Sequence, residues 1–190
     1  MPKISAPSVA EHRAAQRAAL IAAAEDIVRE SGVAGVTPRS VCERTGLSRS
    51  SFYDYFPSKD DLLVGVAIAA IESWDAEIEQ ALEGVAPGLA QLRIFVDATM
   101  TMTADGRHEI AGALRGADLS PSRLEDLMVL HDALLRPLVH VLEELGHRSP
   151  QRGALLAQGV IGAGVQLVTH GVDPQEAADD VYALLVNGLA

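Results

Sequence analysis

Four polar residues, each followed directly by a proline, divide this chain of 190 residues into segments that begin like helices. They are the pairs Thr37-Pro38, Ser120-Pro121, Ser149-Pro150 and Asp173-Pro174. A Ser, Thr or Asp at a helix N-cap accepts a hydrogen bond from a free backbone N–H, and proline at the next position loses none. No run of β-branched and aromatic residues alternates as a strand would. The sequence therefore predicts an all-α protein.

Helical periodicity fills the intervals between these starts and predicts about nine helices. Residues 1–10 show no such pattern and are predicted to form a flexible arm. The first helix is predicted from about Glu11 to Ser31, with Gly32 as its stop. The others are predicted over 38–45, 48–55, 59–82, 88–104, 107–117, 121–145, 150–170 and 174–189. Pro137 removes a backbone hydrogen bond inside the helix over 121–145 and is expected to kink it.

Charge separates the first 60 residues from the remainder. The whole chain has 15 Lys and Arg against 26 Asp and Glu, a net charge of −11, which by itself argues against binding to nucleic acid. Residues 1–60, however, hold eight bases and seven acids, and residues 61–190 hold seven bases and 19 acids. The acid excess therefore belongs to the second part. Four of the seven aromatic residues also fall within 52–56.

The composition argues against several classes of protein. One Cys allows no disulfide framework, and the first residues lack the apolar segment of a secretory signal. The longest uncharged run, 153–169, is shorter than the roughly 20 residues that span a membrane. No zinc-protease, dinucleotide-binding, P-loop or hydrolase motif occurs. We therefore expect a cytoplasmic protein that is not an enzyme, contacts no membrane, and binds neither a metal nor a cofactor.

The pattern over residues 37–59 is the most informative about function. Two short predicted helices are joined by Thr45-Gly46-Leu47, with glycine where a tight turn needs a positive φ. Ser48 caps the second helix. Its outward face shows Arg49, Ser50, Ser51, Tyr53 and Tyr55. Basic and hydroxyl groups at a helix N-terminus suit insertion into the major groove, whereas an ordinary three-helix unit with a solvated face is the alternative.

The stretch from about Arg17 to Leu63 resembles the TetR family of transcriptional regulators. The runs LIAAAEDIVRESGVAGVT and SVCERTGLSRSSFYDYFPSKDDLL match the first helix and the helix-turn-helix signature of that family. The resemblance implies a helix-turn-helix DNA-binding domain over 11–58 and a linking helix over 59–82. It also implies a helical ligand-binding and dimerisation domain over 83–190, and a homodimer on palindromic DNA.

The resemblance also places nine residues at the DNA. They are Thr37, Arg39, Ser48, Arg49, Ser50, Ser51, Tyr53, Tyr55 and Lys59. Arg49, Ser50 and Ser51 would face bases, and an arginine at 49 can pair with guanine. The tyrosines, Thr37 and Lys59 would mostly hold phosphates. Asp54 is an exception, because it places a carboxylate beside the surface expected to bind DNA. This carboxylate could accept a hydrogen bond from cytosine, orient a neighbouring arginine, or point away from the DNA.

Residues 83–190 carry no motif that identifies a ligand. Apolar and weakly polar side chains on the predicted helices suit a small, mostly apolar effector with one or two polar groups. The candidates are Trp74, Phe95, Thr99, Met102, Met128 and His131. His131 is either a ligand contact or a core histidine with an internal partner.

The predicted helix over 150–170 is apolar nearly all round and therefore needs cover on two sides. One side belongs to its own domain; the other is covered by a partner subunit or lies in a wholly internal core. The predicted dimer contacts are Ile161, Gly164, Leu167, Val168, Val181, Leu184 and Leu185.

Together these features predict a repressor that binds a palindromic operator as a homodimer and is released by a small-molecule effector. The alternative is a DNA-binding regulator, repressor or activator, that responds to a protein partner or to no ligand.

Overall fold

The computed structural model describes residues 9–105 and 135–188, and every regular element within these residues is an α-helix. The eight helices are α1 Val9–Gly35, α2 Pro38–Thr45, α3 Arg49–Tyr55, α4 Lys59–Leu82, α5 Leu89–Ala104, α6 Arg136–Glu144, α7 Pro150–Thr169 and α8 Pro174–Asn187. The predicted all-α fold is confirmed. The predicted helix over 107–117 and most of that over 121–145 lie outside the described residues, and Pro137 occupies the first turn of α6.

Local caps begin the helices where the sequence predicted. The Thr37 hydroxyl accepts from the Ser40 N–H at 3.0 Å, and the Ser40 hydroxyl accepts from the Thr37 N–H at 3.0 Å, which completes a capping box. Asp173 caps α8 in the same way by accepting from two backbone N–H groups. Ser149 differs because its hydroxyl accepts from Arg152 at 2.9 Å instead of capping α7.

Helix α1 extends beyond both of its predicted ends. Val9 and Ala10 are helical, which corrects the last two residues of the predicted arm; the alanine-rich run that follows favours helix throughout. Gly32 has φ +70° and interrupts the helical backbone, as expected of a glycine stop, and one further turn reaches Gly35.

The chain divides into two compact units, with the boundary inside α4 between residues 69 and 70. In the first unit, the side chains of Leu20, Val41, Phe52 and Leu62 are completely buried. Phe56 packs on Phe52 with ring centroids 6.1 Å apart. This core joins α1 to α2, α3 and the start of α4.

In the second unit, α5 packs against α7 and α8, and α6 packs against α7. Val96, Met100 and Leu138 lie at its centre and are nearly inaccessible. Gly164 allows the close approach of these helices: a Cβ there would lie 2.5 Å from Val181 and 2.7 Å from Met100.

Candidate nucleic-acid interface

The short helix α3 is fixed in place by α1. Seven residues are too few for a stable isolated helix, so its position depends on packing. The buried Phe52 ring anchors one face. The Tyr55 hydroxyl donates to Gln16 Oε1, and the Arg13 guanidinium donates to the Asp54 carbonyl at 2.8 Å. Arg13 also lies over the Tyr55 ring, 5.2 Å from its centroid.

These α1 anchors were not predicted from the sequence. Gln16 and Arg17 lie three and four residues after Arg13, a spacing that places all three on one face of α1. Arg17 lies over the ring of Phe56 at 5.1 Å. The spacing was a usable signal, but it does not indicate which neighbouring helix the face meets.

The outward face of α3 carries free polar groups. Arg49 and Ser50 are exposed, and 46% of Tyr53 is accessible. Within the described residues the Arg49 guanidinium forms no hydrogen bond or ion pair. The Ser48 hydroxyl caps the helix by accepting from the Ser51 N–H at 3.0 Å, and it lies 2.7 and 2.8 Å from the hydroxyls of Ser50 and Ser51. Three hydroxyls and one unpaired cation therefore surround the start of α3.

The remaining predicted DNA contacts are engaged inside the chain. Thr37 forms the capping box of α2, and Arg39 pairs with Glu43 at 2.8 Å, which raises the pKa of Arg39. The Lys59 ammonium donates to the carbonyl of Val33 at 3.1 Å, close to the end of α1. The hydroxyl of Thr37 and the guanidinium of Arg39 nevertheless lie on exposed residues.

Three of the seven cations that the structure describes in the first unit are neutralised by acids. Arg29 pairs with Asp26 at 3.3 Å, Arg39 pairs with Glu43, and Arg44 of α2 donates to both carboxylate oxygens of Glu30 on α1, at 2.9 and 2.6 Å. Arg49 is the exception on α3. The start of α3 therefore offers one unpaired cation among hydroxyl groups.

Asp54 and Cys42 behave differently from the polar groups beside them. The Asp54 carboxylate is exposed and has no hydrogen bond or ion pair with a described residue; Arg13 binds its backbone carbonyl instead. Cys42 is buried with its sulfur 3.6 Å from the Ser48 carbonyl, and burial raises the pKa of the thiol. Cys42 is therefore a packing residue, as predicted.

Four of the predicted ligand residues contribute to the core of the second unit. Phe95, Thr99 and Met102 are buried, and Trp74 packs against the same cluster. Trp74 meets Phe95 edge-on with ring centroids 5.6 Å apart. The Thr99 hydroxyl donates to the Phe95 carbonyl at 2.8 Å. The other two predicted residues, Met128 and His131, lie outside the described residues.

The predicted dimer contacts separate into two groups. Ile161, Gly164, Val168 and Val181 are buried within the core of their own unit, so they are corrected to internal packing residues. The prediction failed there because α7 is apolar on all sides, and its periodicity does not indicate which side faces inward. Leu167 is 43% exposed, and Leu184 and Leu185 are half-buried.

The opposite side of α7 presents further apolar surface. Leu155 and Leu156 are 61% and 74% exposed. Gly159 and Gly162 are also exposed, and a Cβ at either position would meet nothing within 4 Å. This exposed face of α7, together with Leu167, was part of the predicted all-round apolar pattern and has no cover among the described residues.

An all-helical chain with a helix-turn-helix and a free polar face on its second helix defines the class of helix-turn-helix DNA-binding regulators. Residues 20–66 match the family model for bacterial regulatory proteins of the tetR family. Over these residues the chain is similar to the TetR family of transcriptional regulators, which confirms the resemblance. The proteins to which the chain is similar are named as transcriptional regulators, in agreement with the prediction that it is not an enzyme.

Among curated proteins, the chain is similar to the HTH-type transcriptional regulator RutR of Escherichia coli strain K12, with 28% identity over 91 residues. The match covers 48% of this chain and 42% of RutR, so the chain spans less than half the length of the curated relatives it matches.

Two solved structures extend the likeness of fold to most of the chain. The regulator FadR of Bacillus subtilis, solved in complex with stearoyl-CoA, has a TM-score of 0.77 at 19% identity and covers 91% of this chain and 99% of its own. The TetR-family regulator PfmR of Thermus thermophilus has a TM-score of 0.67 at 19% identity, with coverage of 90% and 98%. Among the described residues, no helix is long and apolar enough to cross a membrane.

Proposed function

We propose that this protein is a cytoplasmic transcriptional repressor that binds a palindromic operator as a homodimer and leaves it when a small, mostly apolar effector binds. The observation that carries the proposal is the outward face of α3, where exposed Arg49, Ser50 and Tyr53 surround a helix start fixed from behind by α1. This is the geometry with which a recognition helix enters the major groove.

The contacts with DNA are proposed to divide by chemistry. Arg49 reads a base edge because its guanidinium is exposed and has no internal partner within the described residues. Thr37, Tyr53 and Lys59 hold phosphates, as do Arg39 and Tyr55 after their internal partners adjust. Three described cations of this unit are paired with acids, and Arg13 and Lys59 bind backbone carbonyls. Non-specific affinity is therefore proposed to be weak, and specific binding to depend on base contacts and dimer geometry.

The second subunit is proposed to pack on the exposed face of α7. Leu156, Gly159 and Leu167 follow helical spacing along that face, and exposed leucines beside uncovered glycines favour close packing of a partner helix. Leu184 and Leu185 of α8 extend the surface. A two-fold dimer would set two recognition helices about 34 Å apart, one turn of DNA.

The proposed effector acts through α4. Trp74 in the second part of α4 adjoins the core of buried apolar side chains, whereas Lys59 at its start holds the Val33 carbonyl of α1. Displacement of α4 would change the position of α1, which anchors α3. The coupling is reciprocal, so operator DNA weakens effector binding by the factor by which the effector weakens DNA binding. FadR, a protein of the same fold, was solved with stearoyl-CoA, which makes this compound a reasonable first probe.

Selection of bound duplexes from a random-sequence library, followed by affinity measurement on the selected site, tests DNA binding. Arg49→Ala should weaken binding to that site by about 1–3 kcal/mol and relax preference at one base position. Arg148→Ala removes the same charge from an exposed position of the second unit and is the matched control. Equal loss on all sequences would assign Arg49 to phosphate binding, and failure to select any site would overturn DNA binding.

Effector response is tested on the same selected operator. Release of the protein by stearoyl-CoA, measured by fluorescence anisotropy of labelled DNA, would support a ligand-responsive repressor. Binding that is unaffected by stearoyl-CoA and by a metabolite extract would favour the alternative, in which a protein partner or no ligand controls the regulator.

A further inference from the structure

The indole nitrogen of Trp74 is buried without a hydrogen-bond partner among the described residues. A buried indole N–H almost always has an acceptor, because an unpaired buried donor costs about 1–3 kcal/mol. Trp74 is the only tryptophan of the chain. Its donor is therefore an unused polar group of the second unit, in which the acceptor atoms Gln91 Oε1 and Asp97 Oδ1 are also buried without a partner.

The residues near this indole use their own polar groups elsewhere. The Thr99 hydroxyl donates to the Phe95 carbonyl at 2.8 Å, and the Thr103 hydroxyl donates to the Thr99 carbonyl at 2.8 Å. The cluster against which Trp74 packs consists of apolar side chains such as Ile78. The acceptor that the indole lacks is accordingly not offered by the buried hydroxyl groups of α5.

The ion pairs described in this unit involve side chains that are at least partly exposed. Arg93 binds Asp97 and Asp179 at 2.9 and 2.6 Å, and Arg136, with a side chain that is 74% exposed, lies 3.5 Å from Asp75. Among the described residues, the buried polar ones are Thr99 and Thr103, and no lysine, arginine or histidine is buried. An anionic group placed in the buried cluster would lose its hydration without gaining a cation, which is strongly unfavourable. A neutral acceptor avoids that penalty.

We infer that the Trp74 indole N–H donates a hydrogen bond to a neutral acceptor oxygen, such as a carbonyl, carried by an otherwise apolar effector. The inference rests on the proposed function as a ligand-responsive regulator and gives the effector a chemical class. The edge contact with Phe95 holds the indole in position, so that the N–H selects molecules with an acceptor at one point of their surface.

A pair of probes of equal shape isolates the hydrogen bond. 2-Undecanone carries a carbonyl oxygen, and 2-methyl-1-undecene replaces that oxygen with a CH₂ group. The full chain labelled with ¹⁵N gives a single indole N–H signal because it has one tryptophan. The ketone should move that proton signal downfield and slow its exchange with solvent, whereas the alkene should do neither. Equal effects of the two probes would overturn the role of Trp74.

Affinities for the two probes provide the second measurement. By calorimetry, the ratio of ketone to alkene affinity should fall about fivefold in Trp74→Phe, which keeps an aromatic ring and removes the donor. Comparing this affinity ratio between the parent and Trp74→Phe cancels the difference in hydration between the two probes. Dodecanoate should bind about tenfold more weakly than the ketone, because no buried cation is present among the described residues to balance its charge. An unchanged ratio, or tighter binding of dodecanoate, would contradict the inference.

Different results would reject the ligand-responsive function and the hydrogen bond from Trp74. Release of operator DNA by 2-undecanone without a change in the indole signal keeps the ligand-responsive function and rejects the role of Trp74. Binding of neither probe, together with operator affinity that no tested compound changes, rejects both. Because the spectra are recorded on the unmodified chain, the result stands even if Trp74→Phe is unstable.

Discussion

The Tyr55 hydroxyl donates a hydrogen bond to Gln16 Oε1 and thereby joins the last residue of α3 to α1. Arg13, one turn earlier on α1, donates to the neighbouring Asp54 carbonyl and covers the Tyr55 ring. A helix of seven residues thus takes its orientation from another element. The two tyrosines of α3, one bound internally and one exposed, have different expected roles.

Tyr55→Phe keeps the ring and removes the donor to Gln16. We expect the free energy of unfolding to fall by about 1 kcal/mol, the typical net worth of one hydrogen bond. Tyr53→Phe is the matched control: within the described residues its hydroxyl has no partner, so stability should change by less than about 0.5 kcal/mol while operator affinity falls. Urea denaturation followed by circular dichroism measures the first effect. Equal stability losses would show that the Tyr55 bond adds nothing.

Glu30 and Glu25 on α1 should contribute to stability with opposite dependence on pH. The Arg44 guanidinium lowers the pKa of Glu30 below its usual 4.5, so this carboxylate stabilises the fold above pH 4.5 and loses that contribution as the pH falls through its folded-state pKa. Burial raises the pKa of Glu25 despite nearby Arg29, so its ionisation opposes folding at neutral pH, and this penalty disappears as the pH falls through the raised value.

The variants Glu30→Gln and Glu25→Gln test these signs. Denaturation between pH 3 and 7 should show a shallower loss of stability toward acid for Glu30→Gln. Glu25→Gln should be more stable than the parent at pH 7, with the difference shrinking toward pH 4. Parallel curves for the two variants would mean that neither pKa shift affects folding.

Two glycines of α7 should respond in opposite directions to alanine. At Gly164 a Cβ would lie 2.5 Å from Val181 and 2.7 Å from Met100, so Gly164→Ala should destabilise the chain by about 1–3 kcal/mol through overpacking. At Gly162 a Cβ meets nothing within 4 Å in its own chain, so Gly162→Ala, measured at a protein concentration low enough to keep the chain monomeric, should gain up to about 1 kcal/mol of helix propensity. Thermal unfolding at a fixed protein concentration separates them. A tolerated alanine at 164 would contradict the close packing of α7 on α5 and α8.

The proposed subunit interface predicts a difference between two equally exposed leucines. Leu167→Glu places a charge on the exposed face of α7 and should convert the dimer into monomers, since an unpaired charge buried by a partner is unfavourable. Leu89→Glu is the control, because Leu89 at the start of α5 is 44% exposed against 43% for Leu167. Sedimentation velocity distinguishes the two states. Dimers of undiminished stability in Leu167→Glu would place the interface elsewhere.

The sequence was most predictive where structure is set within a few residues. Thr37 and Asp173 begin their helices as expected because a cap involves only the adjacent turn, and Gly32 interrupts α1 because of its own φ. The helix α4 matches its predicted bounds, Lys59 to Leu82. Ser149 failed as a side-chain cap because its hydroxyl binds Arg152 instead.

Contacts between elements distant in sequence could not be predicted in the same way. Tyr55 and Gln16 are 39 residues apart in the sequence, and Lys59 and Val33 are 26 residues apart. Neither hydrogen bond could be predicted at such separations. The inward side of α7 depends on where α5 and α8 pack, which an apolar helix does not encode by itself. This is why the sequence predicts Gly164 at a partner subunit although it serves the internal core.

The packing residues and the outward-facing residues of α3 are different, which affects how the preferred DNA sequence of such a protein could change. Phe52 and Tyr55 hold the helix, whereas Arg49, Ser50 and Tyr53 face outward, and the ring contact of Tyr53 with Phe52 lies within α3 itself. On the proposed binding of α3 to DNA, we expect substitutions at positions 49 and 50 to alter sequence preference while the packing of the helix stays intact. New operator specificities could then be selected or designed at these two positions without compensating changes elsewhere.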